Sequence, residues 1–458
     1  MRTNPHRHPL SRDPAFGLAL LATGVAIIAV VAYQEEQGRI ESAWSDTVIV
    51  LNNEPLWEGT FPVFARRVPL DNFPNQEVFH SEFLEGIETA RFDLATLDQT
   101  EWLIGLDAPE PLFQLMLESG RLPKPGAPEV LAGAFTRIDR FTIAGTEYTV
   151  VGRLTRSMPG LYFAYVMPYS DSVPSALFSE DTTQGWMDPK GRERLRDEID
   201  EKDEDHAALR DIELLGGNRS PATSRHAWAV TLGLLLVAVG GAIAHLRLFA
   251  LLADRRIGPL RPVLREIGNR PVLIGLVHLV LFGPFFLTMA LSVDYPLPNM
   301  WMQQIIQHVF SDGSLSYVGD AYASGNILLA SVATFANNYL MQTVFLTFLI
   351  SFAIPFLGLF KNIASFAMAG LGMSPIWTGM AAIFMYHCIT MTLELEAYVV
   401  ASFVICVWPI RLVKGLVSGT FREECGESLR LFGSGLLITG IMLAGAALFE
   451  ASTLILLR

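Results

Sequence analysis

The chain has 458 residues, of which 51% are hydrophobic and 17% charged, and its formal net charge is −13. Soluble domains carry about 25% charged residues, so this balance argues against a soluble enzyme and for a chain held in a bilayer. The acidic excess argues against a nucleic-acid partner, whose phosphates call for Lys and Arg. Cys388, Cys406 and Cys425 provide no disulfide framework.

In chain order, the first apolar run is Pro14 to Tyr33, preceded by Arg2, Arg7 and Arg12. It is long enough for a full crossing and lacks a small-x-small cleavage site, so it reads as an anchor rather than a cleaved signal. Four further runs read as spans on length and lack of charge: Ala227 to Leu246, Val272 to Leu291, Tyr339 to Phe360 and Leu431 to Leu457. Two more, Ile363 to Met385 and Leu393 to Val413, are interrupted by Gly, Pro or acids. The total is seven crossings.

Orientation is set by the distribution of Lys and Arg. The arginines before the first span and the loop "LADRRIGPLRPVLREIGNRP" belong on the cytoplasmic side. Residues 34–225 hold 18 Lys and Arg against 34 Asp and Glu, a net charge of −16, and belong outside. The loop from Ser292 to Asn326 has three aspartates and no Lys or Arg, which suits the outer face. Lys361, Arg411, Lys414 and Arg422 then fall inside. The expected fold is therefore a polytopic α-helical membrane protein of about seven transmembrane helices with an inserted α+β extracytoplasmic domain. Its expected place is the inner membrane of a bacterial cell.

The outer segment alternates strand-like runs ("TVIVL", "LYFAYVMP") with apolar-periodic stretches such as Pro111 to Ser119. "RFTIAGTEYTVVGRL" reads as a hairpin turning at Ala144 and Gly145. In "ESGRLPKPGAPEVLAGA", Gly120, Pro123, Pro125, Gly126 and Pro128 forbid a helix and impose a turning path into the strand "EVLAG". "KGRERLRDEIDEKDEDHAALRDIELL" reads as a solvated, charged helix leading into a linker. The GR-x-P, EVL and VVG order resembles the extracytoplasmic core domain of MacB-like ABC transporter permeases, over roughly residues 34–180. That resemblance implies a domain inserted after the first span, and "DRRIGPLRPVLREIG" is similar to the family's cytoplasmic arginine-rich segment. By that reading Arg255, Arg256, Arg261 and Arg265 form a docking loop for a separate ATPase.

The membrane-embedded remainder carries a second likeness. "FANNYLMQTVFLTFLISFAIPFLGLFKN", "TLELEAYVVASF" and "ALFEAS" occur in the order seen in the stage II sporulation protein M (DUF95) family, which the last 190 or so residues resemble. Asn337, Asn338, Glu394, Leu395 and Glu450 fall on its motif positions. The family's His lies four residues before its Glu, where this chain has Thr390. His387 lies seven before Glu394, close to two helical turns, and would still face the same side. Ionisable groups at bilayer depth usually face a bundle interior and pair with one another. Asn337, Asn338, His387, Glu394, Glu396 and Glu450 are therefore candidates for a polar intramembrane seam. The competing interpretation puts the acids at the outer interface, where they reach water.

The organisation expected is a cytoplasmic N-terminus and anchor over 1–33, an outer domain over 34–189, a charged helix and linker over 190–226, a second span with the Arg-rich loop over 227–262, and a five-helix membrane domain over 263–458. No phosphate-binding loop, no HExxH helix and no C-x-x-C pair occurs, so no catalytic residue, metal or cofactor is expected. The two resemblances imply a non-enzymatic, permease-like subunit of an export or maturation machine, ABC-type, for peptide or lipid-linked cargo. Its partners would be an ATP-binding subunit, other permease or envelope proteins and the lipid bilayer, and it could form homo- or hetero-oligomers. The alternative is a non-transporting scaffold that anchors peptidoglycan-processing proteins.

Overall fold

The structure is a computed structural model, and it describes residues 14–41, 113–114, 117–136, 138–143, 145–155, seven short strands between residues 48 and 216, and 224–456 apart from 255, 256, 296, 312 and 378–380. The chain divides into two compact units, one of residues 1–31, 228–375 and 381–458, the other of residues 32–227 with 376–380.

The second unit is built on two sheets. Strands β1 (Val48–Leu51), β2 (Phe61–Phe64), β10 (Gln184–Asp188) and β11 (Glu213–Gly216) form the smaller, antiparallel sheet in the order β11-β1-β10-β2. The larger sheet runs β3 (Arg66–Pro69), β4 (Trp102–Leu106), β9 (Ala164–Pro168), β6 (Glu129–Ala132), β8 (Thr146–Leu154) and β5 (Leu117–Gly120). It is mixed: β4 pairs β9 and β6 pairs β8 in parallel. The remaining strand, β7 (Arg140–Ile143), forms the expected hairpin with β8, closing at Ile143 opposite Thr146 with Gly145 at φ +80°. A left-handed backbone of this kind favours glycine over any residue with a Cβ.

Alternation in β6 and β9 turns Val130, Ala132, Tyr165 and Met167 into one core with Phe141 and Tyr148. The Phe141 ring lies 4.6 Å from that of Tyr165 and 5.6 Å from that of Tyr148. The Gly/Pro-rich path before β6 is fastened by Arg121, whose guanidinium donates to both Glu129 carboxylate oxygens at 2.6 Å. That ion pair, joined by the Lys124 backbone N–H at 2.9 Å, holds the Glu129 carboxyl down at about 2.

Two sequence expectations change here. Leu117–Ser119, expected in an apolar-periodic stretch, is strand and pairs with β8, because the Tyr148–Leu154 arm is longer than β7 and leaves an edge to fill. The end of the charged segment expected as helix is strand β11, where "ELL" pairs with β1. The rest of that segment lies outside the described residues.

The first unit is helical. Helix α1 (Pro14–Glu41) and α2 (Ser224–Asp254) run antiparallel, since Gly17 abuts Gly240 while Gly24 abuts Gly233. A Cβ on Gly24 would lie 2.4 Å from the Gly233 carbonyl oxygen, and one on Gly240 would lie 2.6 Å from that of Gly17. Small residues spaced in this way allow backbones in lipid to approach closely. Next come α3 (Arg261–Asn269), α4 (Pro271–Asp294), α5 (Leu297–Ser311) and α6 (Ser316–Ala323). Helix α7 joins Ile327–Phe335, a π-helical stretch Ala336–Leu349 and Ile350–Ala353 without a break in right-handed backbone. Helix α8 is Leu357–Gly372, α9 is Ala381–Ser418 with a π-helical turn at Met391–Leu395, and α10 is Phe421–Leu456.

Five helices are long and apolar enough to cross a membrane: Ala15–Gln37, Ser224–Ala253, Pro271–Asp294, Ala381–Ser418 and Phe421–Leu456. The protein is a multi-pass membrane protein by that measure. The expected boundaries around residue 355 shift. Ile354 is extended ahead of Pro355, and Phe356 turns at φ 67°, so the run expected as Tyr339 to Phe360 ends at Ala353. Steric exclusion of helical backbone before a proline is the cause. The run expected as Ile363 to Met385 is divided between α8 and α9.

Helix α9 is the centre of this unit. Every residue from Glu396 to Trp408 is buried, as expected for a helix enclosed by others on all sides. Helix α8 packs tightly on α4: a Cβ on Gly370 would lie 2.1 Å from the Phe285 carbonyl oxygen, and Thr288 Oγ1 donates to the Ala367 carbonyl at 2.8 Å.

Candidate functional site

Two stretches of widened helix face each other. In α7, the Thr343 and Thr347 hydroxyls donate at 2.8 Å to the carbonyls of Asn338 and Gln342, five residues back, which is the reach of a π-helix. In α9, the π-helical turn Met391–Leu395 contains Glu394. Asn338 Nδ2 donates to Glu394 Oε1 at 2.9 Å, and Asn337 Nδ2 donates to Asn338 Oδ1, also at 2.9 Å. One hydrogen bond thus ties the two π-helical segments together. Such segments are uncommon and frequent at functional sites.

Glu450 on α10 lies within electrostatic reach of Glu394, Tyr322 and Tyr386. Tyr322 OH also lies 3.1 Å from Thr334 Oγ1 on α7, and the Tyr386 ring stacks on Phe449 at 5.9 Å. Two carboxyl groups, two amides and several hydroxyls converge from α6, α7, α9 and α10. Neither acidic residue is fully buried. The set is rich in acceptors, so it suits a ligand or partner helix presenting N–H or cationic groups.

A second polar run continues from the same helices. Lys361 Nζ donates to Asn362 Oδ1 at 3.2 Å, and Asn362 Nδ2 donates to Ser402 Oγ at 2.9 Å. Thr347 Oγ1 lies 3.2 Å from Asn362 Oδ1, and Lys361 sits over the Tyr398 ring at 5.8 Å. Tyr398 and Ser402 succeed Glu394 at intervals of four on one face of α9.

Of the candidate residues, Asn337, Asn338, Glu394 and Glu450 are brought together. His387 is not among them; it packs against the rings of Phe384 and Tyr386, with no hydrogen bond among the described residues. Glu396 points elsewhere and pairs with His278 of α4 at 3.1 Å. Glu396 follows Glu394 by two residues, about 200° around a helix, and so faces away from it; the π-helical turn accounts for His387. An additional residue per turn rotates the downstream residues by about 100° relative to a uniform helix, so seven-residue spacing no longer puts His387 and Glu394 on one side. Tyr322, Tyr386 and Thr334 were absent from the sequence candidates because tyrosines and threonines in apolar runs carry no signal of their own. His278 did carry one, as a lone ionisable residue in an apolar span.

The Arg-rich loop carries a helix of its own. Helix α3 buries Val263, Leu264, Glu266 and Ile267. Glu266 accepts from Arg270 at 2.5 Å and Arg411 at 2.9 Å, and Arg411 reaches Glu424 at 3.3 Å. Burial pushes the Glu266 carboxyl up, and the two guanidinium groups more than reverse this, leaving it below its ordinary value. Arg265 pairs with Glu427 at 3.6 Å and Arg261 is exposed. Arg255 and Arg256 lie outside the described residues. Also among the described residues, no group of three or more His, Cys, Asp or Glu side chains is placed to hold a metal ion.

Compared with known proteins, the chain matches no family model, no curated protein and no solved structure.

Proposed function

We propose that this chain is the permease-like membrane subunit of an export or maturation machine, working with a separate ATP-hydrolysing subunit on peptide or lipid-linked cargo. The observation that carries this reading is the hydrogen bond between two π-helical segments, Asn338 to Glu394, inside a bundle of apolar helices. Irregular helix and ionisable groups at membrane depth are sustained where they serve a pathway or a binding surface. In this reading α7 and α8 add two crossings to the five long apolar helices, and the N-terminus is cytoplasmic. Residues 34–225 form the inserted extracytoplasmic domain expected from the MacB-like resemblance, and the last five crossings form the membrane domain expected from the sporulation-protein resemblance. The chain supplies no chemistry of its own. Helix α3 gives the ATPase a rigid platform: its apolar side is buried and Arg261 is exposed to meet an acidic partner surface.

Co-purification in mild detergent tests it. The expected result is an ATP-binding protein that is retained by the wild type and lost when Arg255, Arg256 and Arg261 become Glu. Glu394→Gln should leave insertion normal and abolish cargo movement. Retention of a wall hydrolase through residues 34–225, with no ATP-binding protein, would replace this reading with the scaffold.

A further inference from the structure

His278 and Glu396 meet on the side of α9 away from the polar cluster, and their geometry fixes what lies between them. His278 Nδ1 is 2.8 Å from the carbonyl oxygen of Ile274, one turn back. A carbonyl only accepts, so Nδ1 carries a proton. Nε2 is 3.1 Å from Glu396 Oε2, and this contact needs a proton of its own. Either the imidazole is doubly protonated beside a carboxylate, or a neutral imidazole accepts from a carboxylic acid. In both forms one proton sits between the two residues and the pair is neutral. Without it, a carboxylate would face a bare nitrogen lone pair.

The surroundings leave no substitute for that proton. Glu396 is 2% exposed, and its Oε1 is buried with no hydrogen-bond partner among the described residues. The pair stands about 22 Å along α9 from Arg411, well inside a hydrocarbon layer about 30 Å thick. Charged and titratable groups on the neighbouring elements are engaged elsewhere. Lys361 of α8 binds Asn362 and Tyr398, Glu394 of α9 binds Asn338, and Glu450 of α10 lies within electrostatic reach of Glu394, Tyr322 and Tyr386. His245 of α2 contacts its own Gly241 carbonyl, and Arg270 and Arg411 hold Glu266.

We propose that His278 and Glu396 form a proton-binding site that joins α4 to α9 within the membrane. The ligand is a single proton, and its departure uncouples the two helices. The site is independent of the cargo and of any ATPase, so it stands or falls apart from the function proposed above.

Nitrogen and carboxyl magnetic resonance on the full-length chain in lipid bilayers tests it, with His278 identified by its loss in His278→Gln. The expected result is an Nδ1 that stays protonated throughout, with the His278 Nε2 and Glu396 carboxyl signals moving together in one step as pH rises. Glu396→Gln keeps a donor to Nε2 without a releasable proton and should abolish the step. Thermal stability in the wild type should fall across the same step, while Glu396→Gln stays flat there. An unprotonated Nδ1, no step between about pH 5 and about pH 11, or the same step in Glu396→Gln would each overturn the proposal.

Discussion

Asn338 is the donor that pairs the Glu394 carboxyl with α7. Asn338→Leu leaves Glu394 without that partner. Glu394 is only partly buried, so the loss falls at the low end of the cost of an unsatisfied buried polar group, about 1–3 kcal/mol, and it should register as a lower midpoint in detergent thermal unfolding. Arg411→Leu should be worse, because it strips Glu266 and Glu424 of a shared guanidinium. Glu266 keeps Arg270 and Glu424 keeps Lys414, so the loss stays below the cost of a buried charge left wholly unpaired, about 3–5 kcal/mol. In the sheet unit, Glu129 has a depressed pKa, so its contribution to stability is present above its ordinary titration range and disappears as pH falls through about 2. Limited proteolysis of the full chain should show earlier cleavage near residues 117–154 for Glu129→Gln at neutral pH, with the difference from wild type vanishing at the acid end. At this scale the sequence was informative wherever a polar side chain interrupted an apolar run. It said nothing of which polar groups would meet, since the meeting of Asn338 with Glu394 and of His278 with Glu396 depends on how each helix is rotated.

Among the elements, the π-helical segments decide that rotation. Helix α7 has the threonines that accompany the widened turns, Thr343 and Thr347, but neither is a signature that a sequence can be searched for. The break at Ile354 to Phe356 was passed over, since Pro355 sat inside a run read as one span, whereas the hairpin was legible in Gly145 between β-branched arms. The edge strands were not, because β5 and β11 are held by their neighbours rather than by their own composition. The α1 and α2 contact gives a sharp prediction. Gly24→Val must displace the Gly233 backbone, whereas Gly445→Ala meets nothing within 4 Å. Overpacking of this kind costs about 1–3 kcal/mol. Gly24→Val should therefore lower the unfolding temperature and Gly445→Ala should leave it unchanged.

For the whole molecule, the distribution of charge is what the proposed topology rests on. Residues 34–225 carry a net charge of −16, and α1 and α2, which bracket them, are antiparallel. The segment between therefore leaves and re-enters the bundle at the same end of that pair. The polar cluster, the His278–Glu396 pair and the Arg411 network then succeed one another along α9. This order sets three polar groupings along one helix, which is the arrangement the proposed function draws on. The direct test is cysteine accessibility in intact cells, with Cys388, Cys406 and Cys425 replaced by Ala. A membrane-impermeant maleimide should label Glu147→Cys at once and reach Gly258→Cys only after the membrane is opened. Prompt labelling at position 258 with protection at 147 would contradict the account.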